Sequence, residues 1–144
     1  MKTVYRSLTD PLEGYPGYLL RRVSVEVMAK FARRVKSLGL RPTEASVLLV
    51  IRANHNATQS GIGQLLDIAR ANMAPLVSRL ARMGYLERRA VDGRSHGLRL
   101  TAAGQSAARK LDRVVTAQEE ELWARVPPNC RGHFMATLRA MRGA

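Results

Sequence analysis

Cysteine and bulky aromatic residues are scarce in this chain, and it has no long apolar run. Its 144 residues include one cysteine, one tryptophan and two phenylalanines. Because the single Cys130 cannot form an internal disulfide, we expect a protein of the reducing cytoplasm. No segment approaches the roughly 20 apolar residues of a membrane span, and Met1 to Asp10 lack the apolar core of a signal peptide. These absences argue against a disulfide-rich secreted domain and against a membrane protein.

Acidic residues are also few, and the resulting excess of positive charge indicates the class of partner. The chain carries 24 Lys and Arg against 11 Asp and Glu, a formal net charge of +13. Such an excess favours nucleic acid, anionic lipid or acidic ligands, and arginine suits bidentate contacts with phosphates and bases. A membrane-surface role would require one basic amphipathic helix with bulky apolar anchors, whereas this charge is spread along the chain. We therefore expect a nucleic-acid partner and no membrane.

Residue patterns typical of enzymes and metal sites are missing. His55, His96 and His133 are far apart in the sequence and lack metal-ligand spacing, and no glycine-rich phosphate loop occurs. The Glu119-Glu120-Glu121 run is typical of a solvated helix face. We expect no catalysis, metal or cofactor.

Hydrophobic periodicity predicts a mainly α-helical chain with one small hairpin. Apolar residues recur at helical spacing in 18–37, 42–53, 58–66, 102–125 and 129–142, and in a helix ending at Met83. Thr58, Thr101 and Asn129 are expected to cap their helices. The residues 85–90 and 97–100 resemble short strands around an Asp-Gly pair that favours a tight turn.

The order of these elements is that of a winged helix-turn-helix. We expect a single domain in which 40–101 form the DNA-binding lobe, with a β-hairpin wing, and 18–37 and 102–144 supply dimerisation helices. The apolar stripes of the terminal helices, with Leu111, Leu122, Phe134 and Leu138, are long for so small a core. Pairing with a second copy of the chain would bury them.

Pro75 lies inside the pattern of the predicted recognition helix, where a proline removes a backbone hydrogen bond. If the helix begins at about Asn72, the proline lies in or next to the first turn. If the helix begins at Arg70, the Ala71 carbonyl is left free and the first turn is bent or 3₁₀. In either case Pro75 shapes the end of the helix that would enter the major groove.

The chain between Gly17 and Arg142 resembles the MarR family of bacterial regulators. The resemblance is concentrated in 65–104, where Val77-Ser78-Arg79-Leu80 is followed by Asp92-Gly93-Arg94-Ser95 and Leu100-Thr101-Ala102-Ala103-Gly104. It implies a homodimeric winged-helix repressor that binds a near-palindromic operator and is released by a small ligand or by oxidation. The chain lacks the N-terminal cysteine of the hydroperoxide-sensing members.

Candidate DNA-contacting residues lie on the recognition helix. Asn72 can pair with adenine or cap the helix, and Arg70 and Arg79 can reach guanine or phosphate or remain solvated. Met73 and Ala74 can touch a thymine methyl group, and the alternative for Met73 is the core.

The wing supplies the remaining candidates. Arg94 suits insertion into a narrow minor groove, and Asp92 is expected to hold the turn and orient Arg94. Arg88, Arg89 and Arg99 are interpreted as phosphate contacts.

The sequence says less about the effector than about the DNA contacts. The resemblance implies a pocket between the dimerisation helices and the DNA-binding lobe, where Tyr18, Arg22 and His55 would suit an aromatic or carboxylate ligand. For Cys130 the expectation is a buried, inert thiol, and a redox-sensing thiol is the alternative. A sequence-neutral DNA-packing protein is the alternative to a specific regulator, because charge alone supplies non-specific affinity.

Overall fold

A computed structural model describes residues 8–90 and 96–143 of the chain. It confirms a mainly α-helical fold with a two-stranded antiparallel hairpin. The elements, in chain order, are α1 (Pro16–Lys36), α2 (Pro42–Ala53), α3 (Gln59–Leu65), α4 (Arg70–Arg82), β1 (Leu86–Ala90), β2 (His96–Leu100), α5 (Ala102–Arg125) and, after a 3₁₀ turn at Pro128–Cys130, α6 (Arg131–Arg142).

Local chemistry accounts for several helix boundaries. Pro42 is the first residue of α2, where its missing N–H is no loss. Thr58 and Thr101 cap α3 and α5, because each hydroxyl accepts a hydrogen bond from the backbone N–H three residues later, at 3.1 and 3.0 Å. The predicted cap at Asn129 is wrong, since α6 begins after Cys130 and has no side-chain cap.

Gly104, in the first turn of α5, allows that helix to approach the start of the hairpin closely. A Cβ atom at this position would lie 1.9 Å from the carbonyl oxygen of Tyr85. The Thr101 backbone N–H donates to the same carbonyl at 3.1 Å. The Leu-Thr-x-x-Gly pattern thus joins the hairpin rigidly to α5.

The hydrophobic core lies between α2, α3, α4, the hairpin and the first half of α5. Fully burying one Leu or Ile side chain contributes about 1.5–3 kcal/mol to stability, so this cluster stabilises the lobe. Its largest buried members include Leu48, Ile51, Ile62, Met73, Leu80, Leu98 and Leu111. Leu111 therefore belongs to the core of the single chain, and its predicted place on the dimerisation stripe is wrong.

The terminal helices contrast with this lobe because much of their apolar surface is exposed. No described residue of α6 is buried; Phe134 is half-buried against Trp123, with ring centroids 5.7 Å apart in an edge-to-face arrangement. Large apolar side chains remain 41–62% exposed along α1 and α6 at Leu19, Leu20, Val23, Val25, Met28, Met135 and Met141.

Polar contacts join α1 to the second half of α5. Glu26 accepts hydrogen bonds from Arg125 at 3.0 and 3.3 Å, Arg34 pairs with Glu121, and the buried Gln118 donates to the Val27 carbonyl at 3.3 Å. These contacts hold α1 against α5 over about two helical turns. Among the described helices, none is long and apolar enough to cross a membrane.

Candidate nucleic-acid interface

The predicted recognition helix, α4, begins at Arg70, which decides between the two starts that Pro75 allowed. Its first turn carries a 3₁₀-type hydrogen bond, in which the Asn72 N–H donates to the Ala69 carbonyl at 2.8 Å. Pro75 is the sixth residue of α4 and cannot donate to the Ala71 carbonyl, because proline has no N–H. Asn72 does not cap the helix, since the N-cap position is Ala69.

The first turns of α4 divide into an exposed side and a buried side. Arg70, Asn72, Ala74 and Pro75 are exposed, whereas Met73 is 1% exposed. A Cβ atom added to Gly63 of α3 would lie 3.0 Å from Met73 Cγ, which shows how closely these helices pack. The prediction that Met73 contacts a base is therefore wrong, because its side chain is in the core.

Arg79 is held by an ion pair rather than being free on the surface. Its Nη1 donates to Glu44 Oε1 at 2.5 Å, and the Glu44 side chain is only 3% exposed. The other oxygen of this carboxylate accepts from the Arg41 backbone N–H at 2.8 Å, which satisfies the first turn of α2. Arg79 thus has a structural partner that the sequence did not indicate, and a base contact by this side chain would require breaking the pair.

The pleat of the hairpin separates the predicted phosphate contacts. Arg88 is paired with the buried Leu98, so it lies on the face that packs against α3, and its Nη2 donates to Gln59 Oε1 at 3.2 Å. Arg89 and Arg99 lie on the opposite face. There Arg89 Nε contacts Glu87 Oε1 at 3.3 Å, and Glu87 is also paired with Arg99 across the strands. Asp92 and Arg94 lie outside the described residues.

Two open grooves flank the start of α4. The first, which we call the wing-side groove, has a volume of about 870 Å³ and lies between α3, α4 and the hairpin. The second, the α2-side groove, has a volume of about 880 Å³ and lies between the start of α2 and α4. Residues 67–69 line both grooves, so the turn before α4 forms a ridge between them.

The wing-side groove contains polar residues that the sequence analysis did not select. Gln59, Ser60 and His96 line it together with Arg70 and Arg88. In the sequence, His96 is considered only as a metal ligand. Its spacing of two and four residues from Leu98 and Leu100 nevertheless predicts that all three lie on one face of the strand. This groove combines guanidinium, amide, hydroxyl and imidazole groups, which can donate hydrogen bonds to phosphates and base edges.

The predicted effector residues near the N-terminus form a small exposed cluster. The Tyr18 hydroxyl donates to Asp10 Oδ2, and Arg22 Nη1 donates to the Tyr18 hydroxyl, both at 2.9 Å. The backbone N–H of Leu12, followed by the Tyr18 hydroxyl, holds the pKa of the Asp10 carboxyl below its usual value. In one chain, Tyr18 thus binds this carboxylate, and Arg22 is linked to it through the Tyr18 hydroxyl.

His55 does not join that cluster within one chain. Arg52, one turn before His55, pairs with Asp112 of α5. Glu26, two turns after Tyr18 on α1, pairs with Arg125 of α5. These two points on α5 are 13 residues, or about 20 Å, apart, so His55 and Tyr18 lie toward opposite ends of the helix.

Cys130 is exposed, with its Sγ 3.7 Å from Asn129 Oδ1. The expectation of a buried thiol is therefore wrong.

Comparisons with known proteins agree with this arrangement. A model of the MarR family matches residues 38–95, which include α2, α3, α4 and β1. A putative transcriptional regulatory protein for the hcr operon of Thauera aromatica is 26% identical over 133 residues, covering 90% of this chain and 80% of that protein.

Two solved structures share the fold over nearly the whole chain, each with 25% identity over 95% of this chain and 98% of the other. The first is the transcriptional repressor CouR bound to p-coumaroyl-CoA, with a TM-score of 0.81. The second is the PcaV transcriptional regulator of Streptomyces coelicolor in complex with its natural ligand, with a TM-score of 0.76.

Proposed function

Because this chain belongs to the MarR family of DNA-binding transcriptional regulators, which are not enzymes, we propose that it is a homodimeric, ligand-responsive repressor of a near-palindromic operator. In this proposal α4 enters the major groove and the wing contacts the minor groove. Residues 40–101 bind the DNA, and 18–37 and 102–144 form the dimer.

The observation that carries this proposal is the exposed first turn of α4. Arg70 and Asn72 project from it beside the ridge at 67–69, and both are exposed. The major groove of B-DNA is about 12 Å wide and admits an α-helix. Guanine presents two acceptors there, which suit arginine, and adenine presents an acceptor and a donor, which suit asparagine. We assign base recognition to these two side chains.

The unburied apolar faces of α1 and α6 support a dimer of this chain. The exposed side chains on these helices, including Leu20, Val23 and Met135, would be covered if a second copy packed its own terminal helices against them. A two-fold axis would place two α4 helices over half-sites about one helical turn, or roughly 10 bp, apart. The operator would then be palindromic because the protein is symmetric.

For the wing, Arg94 is proposed to contact the minor groove and Asp92 to orient it, on the strength of their sequence pattern alone. Arg88 is proposed to contact a phosphate, because it faces the wing-side groove.

An aromatic or carboxylate effector is proposed from the two ligand-bound relatives, of which CouR holds p-coumaroyl-CoA. In this proposal its binding alters the spacing of the two α4 helices through the contact between the two parts of the chain. That contact includes Arg52 of α2, which pairs with Asp112 and donates to the Ala108 carbonyl at 3.4 Å.

Selection of bound duplexes from a random pool tests the proposal. We expect an enriched motif with two inverted half-sites, and we expect the Arg70→Ala and Asn72→Ala variants to lose base preference at symmetric positions. Competition with unrelated DNA should leave wild-type binding to the selected duplex intact. Recovery of no inverted motif would instead favour a sequence-neutral DNA-packing protein.

A further inference from the structure

We propose that the α2-side groove binds the second DNA backbone at each half-site, mainly through Arg41 and Arg82. This inference rests on the proposed function, and it assigns a contact to residues that the sequence analysis did not select. It concerns the side of α4 that faces away from the wing.

The ridge at 67–69 and the start of α4 separate two grooves of nearly equal volume, about 870 and 880 Å³. A helix inserted in the major groove has a sugar–phosphate backbone on each side, because both strands border that groove. If one backbone lies along the wing-side groove, the other passes the α2-side groove.

The α2-side groove extends along α4 beyond its first turn. Asn72, Leu76, Arg79 and Arg82 line it at intervals of three and four residues, so they form one stripe on the helix. The stripe runs from the exposed first turn to the last turn over about 15 Å. It is long enough to follow a stretch of backbone.

More arginines than carboxylates line the α2-side groove. Arg41 and Arg82 are exposed, line this groove, and have no acidic partner among the residues that the structure describes. Arg79 is neutralised by the buried Glu44, so it fixes the wall of the groove and leaves the other two guanidinium groups available. Asp67 on the ridge supplies the only other carboxylate among the described lining residues. The groove therefore offers a positive surface for an anionic backbone.

The test is the salt dependence of binding to the selected duplex, measured by fluorescence anisotropy between 50 and 200 mM salt. Each lost phosphate contact lowers the slope of log Kobs against log salt by about 0.9. The R41A/R82A double variant removes four arginines from the dimer, so its slope should differ from the wild-type slope by about 3.6. Over this range it should therefore lose about 150-fold less affinity than the wild type. R41K/R82K should keep the wild-type slope, because a lysine retains the charge that contacts the phosphate.

A matched control removes two exposed arginines elsewhere. Arg109 and Arg113 are exposed one turn apart on α5 and line neither groove. R109A/R113A should keep the wild-type slope. Circular dichroism and sedimentation should show that all variants are folded and have the same oligomeric state.

Ethylation interference locates the contact. In the wild type, modified phosphates should interfere on both strands beside each α4, and R41A/R82A should lose the interference on one strand only. If the wild type binds its site and R41A/R82A keeps the wild-type slope and interference pattern, the inference is wrong and the proposed function stands. If the wild type has no preferred site, both are wrong.

Discussion

Asn72 and Met73 are neighbours in the chain, but they lie on different sides of α4. Asn72 is exposed beside the α2-side groove, and Met73 is in the core against Gly63. A single residue step on a helix turns the side chain by about 100°, so adjacent positions can have unrelated roles.

At the scale of this residue, Asn72→Ala is expected to relax base preference by about 1–3 kcal/mol at symmetric operator positions, because one bidentate pair is lost. The salt slope should stay unchanged, since the side chain is uncharged. Duplex selection at two salt concentrations measures both quantities. Asn129→Ala, an exposed asparagine before α6, is the control; equal specificity in both variants would remove Asn72 from the readout.

Arg79 illustrates a second residue-scale role, the satisfaction of a buried charge. Arg79→Ala should lower the free energy of unfolding by about 3 kcal/mol, because it leaves the buried Glu44 carboxylate without its partner. This value is at the lower end of the range for a broken buried ion pair, since Arg79 itself is 35% exposed. Urea denaturation measures the change. Arg82→Ala, one turn further along an exposed face, should change stability by no more than about 0.5 kcal/mol.

The double variant Arg79→Ala/Glu44→Gln separates charge from packing. It should regain part of the lost stability, since the unpaired carboxylate is then absent. Equal stability of Arg79→Ala and Arg82→Ala would contradict the role of the ion pair.

At the scale of elements, side chains alternate between the two faces of the hairpin, so its arginines lie on both faces. Arg88→Ala should weaken binding to all sequences alike and lower the salt slope by about 1.8, because this side chain faces the wing-side groove in both subunits of the dimer. Arg89→Ala should have a smaller effect on the slope, because Arg89 lies on the other face beside Glu87. Anisotropy titrations at several salt concentrations compare the two. A larger loss for Arg89→Ala would place the DNA against the outer face of the hairpin.

Helix α4 shows how an element can tolerate a residue that its interior disfavours. Pro75 removes one hydrogen bond near the start of the helix, yet Met73, Val77 and Leu80 are buried on the core-facing side. Packing of this apolar face compensates for the cost of the proline, about 3 kcal/mol in a helix interior. The backbone defect lies close to the proposed DNA-facing end.

At the scale of the whole molecule, the exposed faces of α1 and α6 predict the oligomeric state. Leu20→Glu/Val23→Glu should weaken dimerisation by about 3 kcal/mol, or roughly 100-fold, because two partly exposed apolar side chains in each subunit are replaced by charges. Deletion of 127–144 should give monomers or aggregates. Sedimentation velocity measures both.

The control for this prediction is Leu65→Glu, at a side chain that is 66% exposed on α3, outside the proposed dimer face. It should remain dimeric. A well-folded, DNA-binding dimer after the 127–144 deletion would exclude α6 from the interface.

The sequence by itself determined the type and order of the elements. Prolines at helix starts, threonine caps and the change from a helical to a two-residue period act within a few residues, so they are readable without the fold. The helices 42–53 and 102–125 were predicted to the residue, and the hairpin strands to within one. The winged-helix architecture followed from this order.

Only the tertiary structure decided which side chains meet. The pair of Glu44 with Arg79, the opposite faces of Arg88 and Arg89, and the wide separation of Tyr18 and His55 depend on how helices and strands pack, which local patterns do not encode. Leu111 is buried for the same reason, because α5 packs against α2 along its first half. Periodicity shows which face of a helix is apolar, whereas the partner of that face is set by contacts between residues distant in the chain.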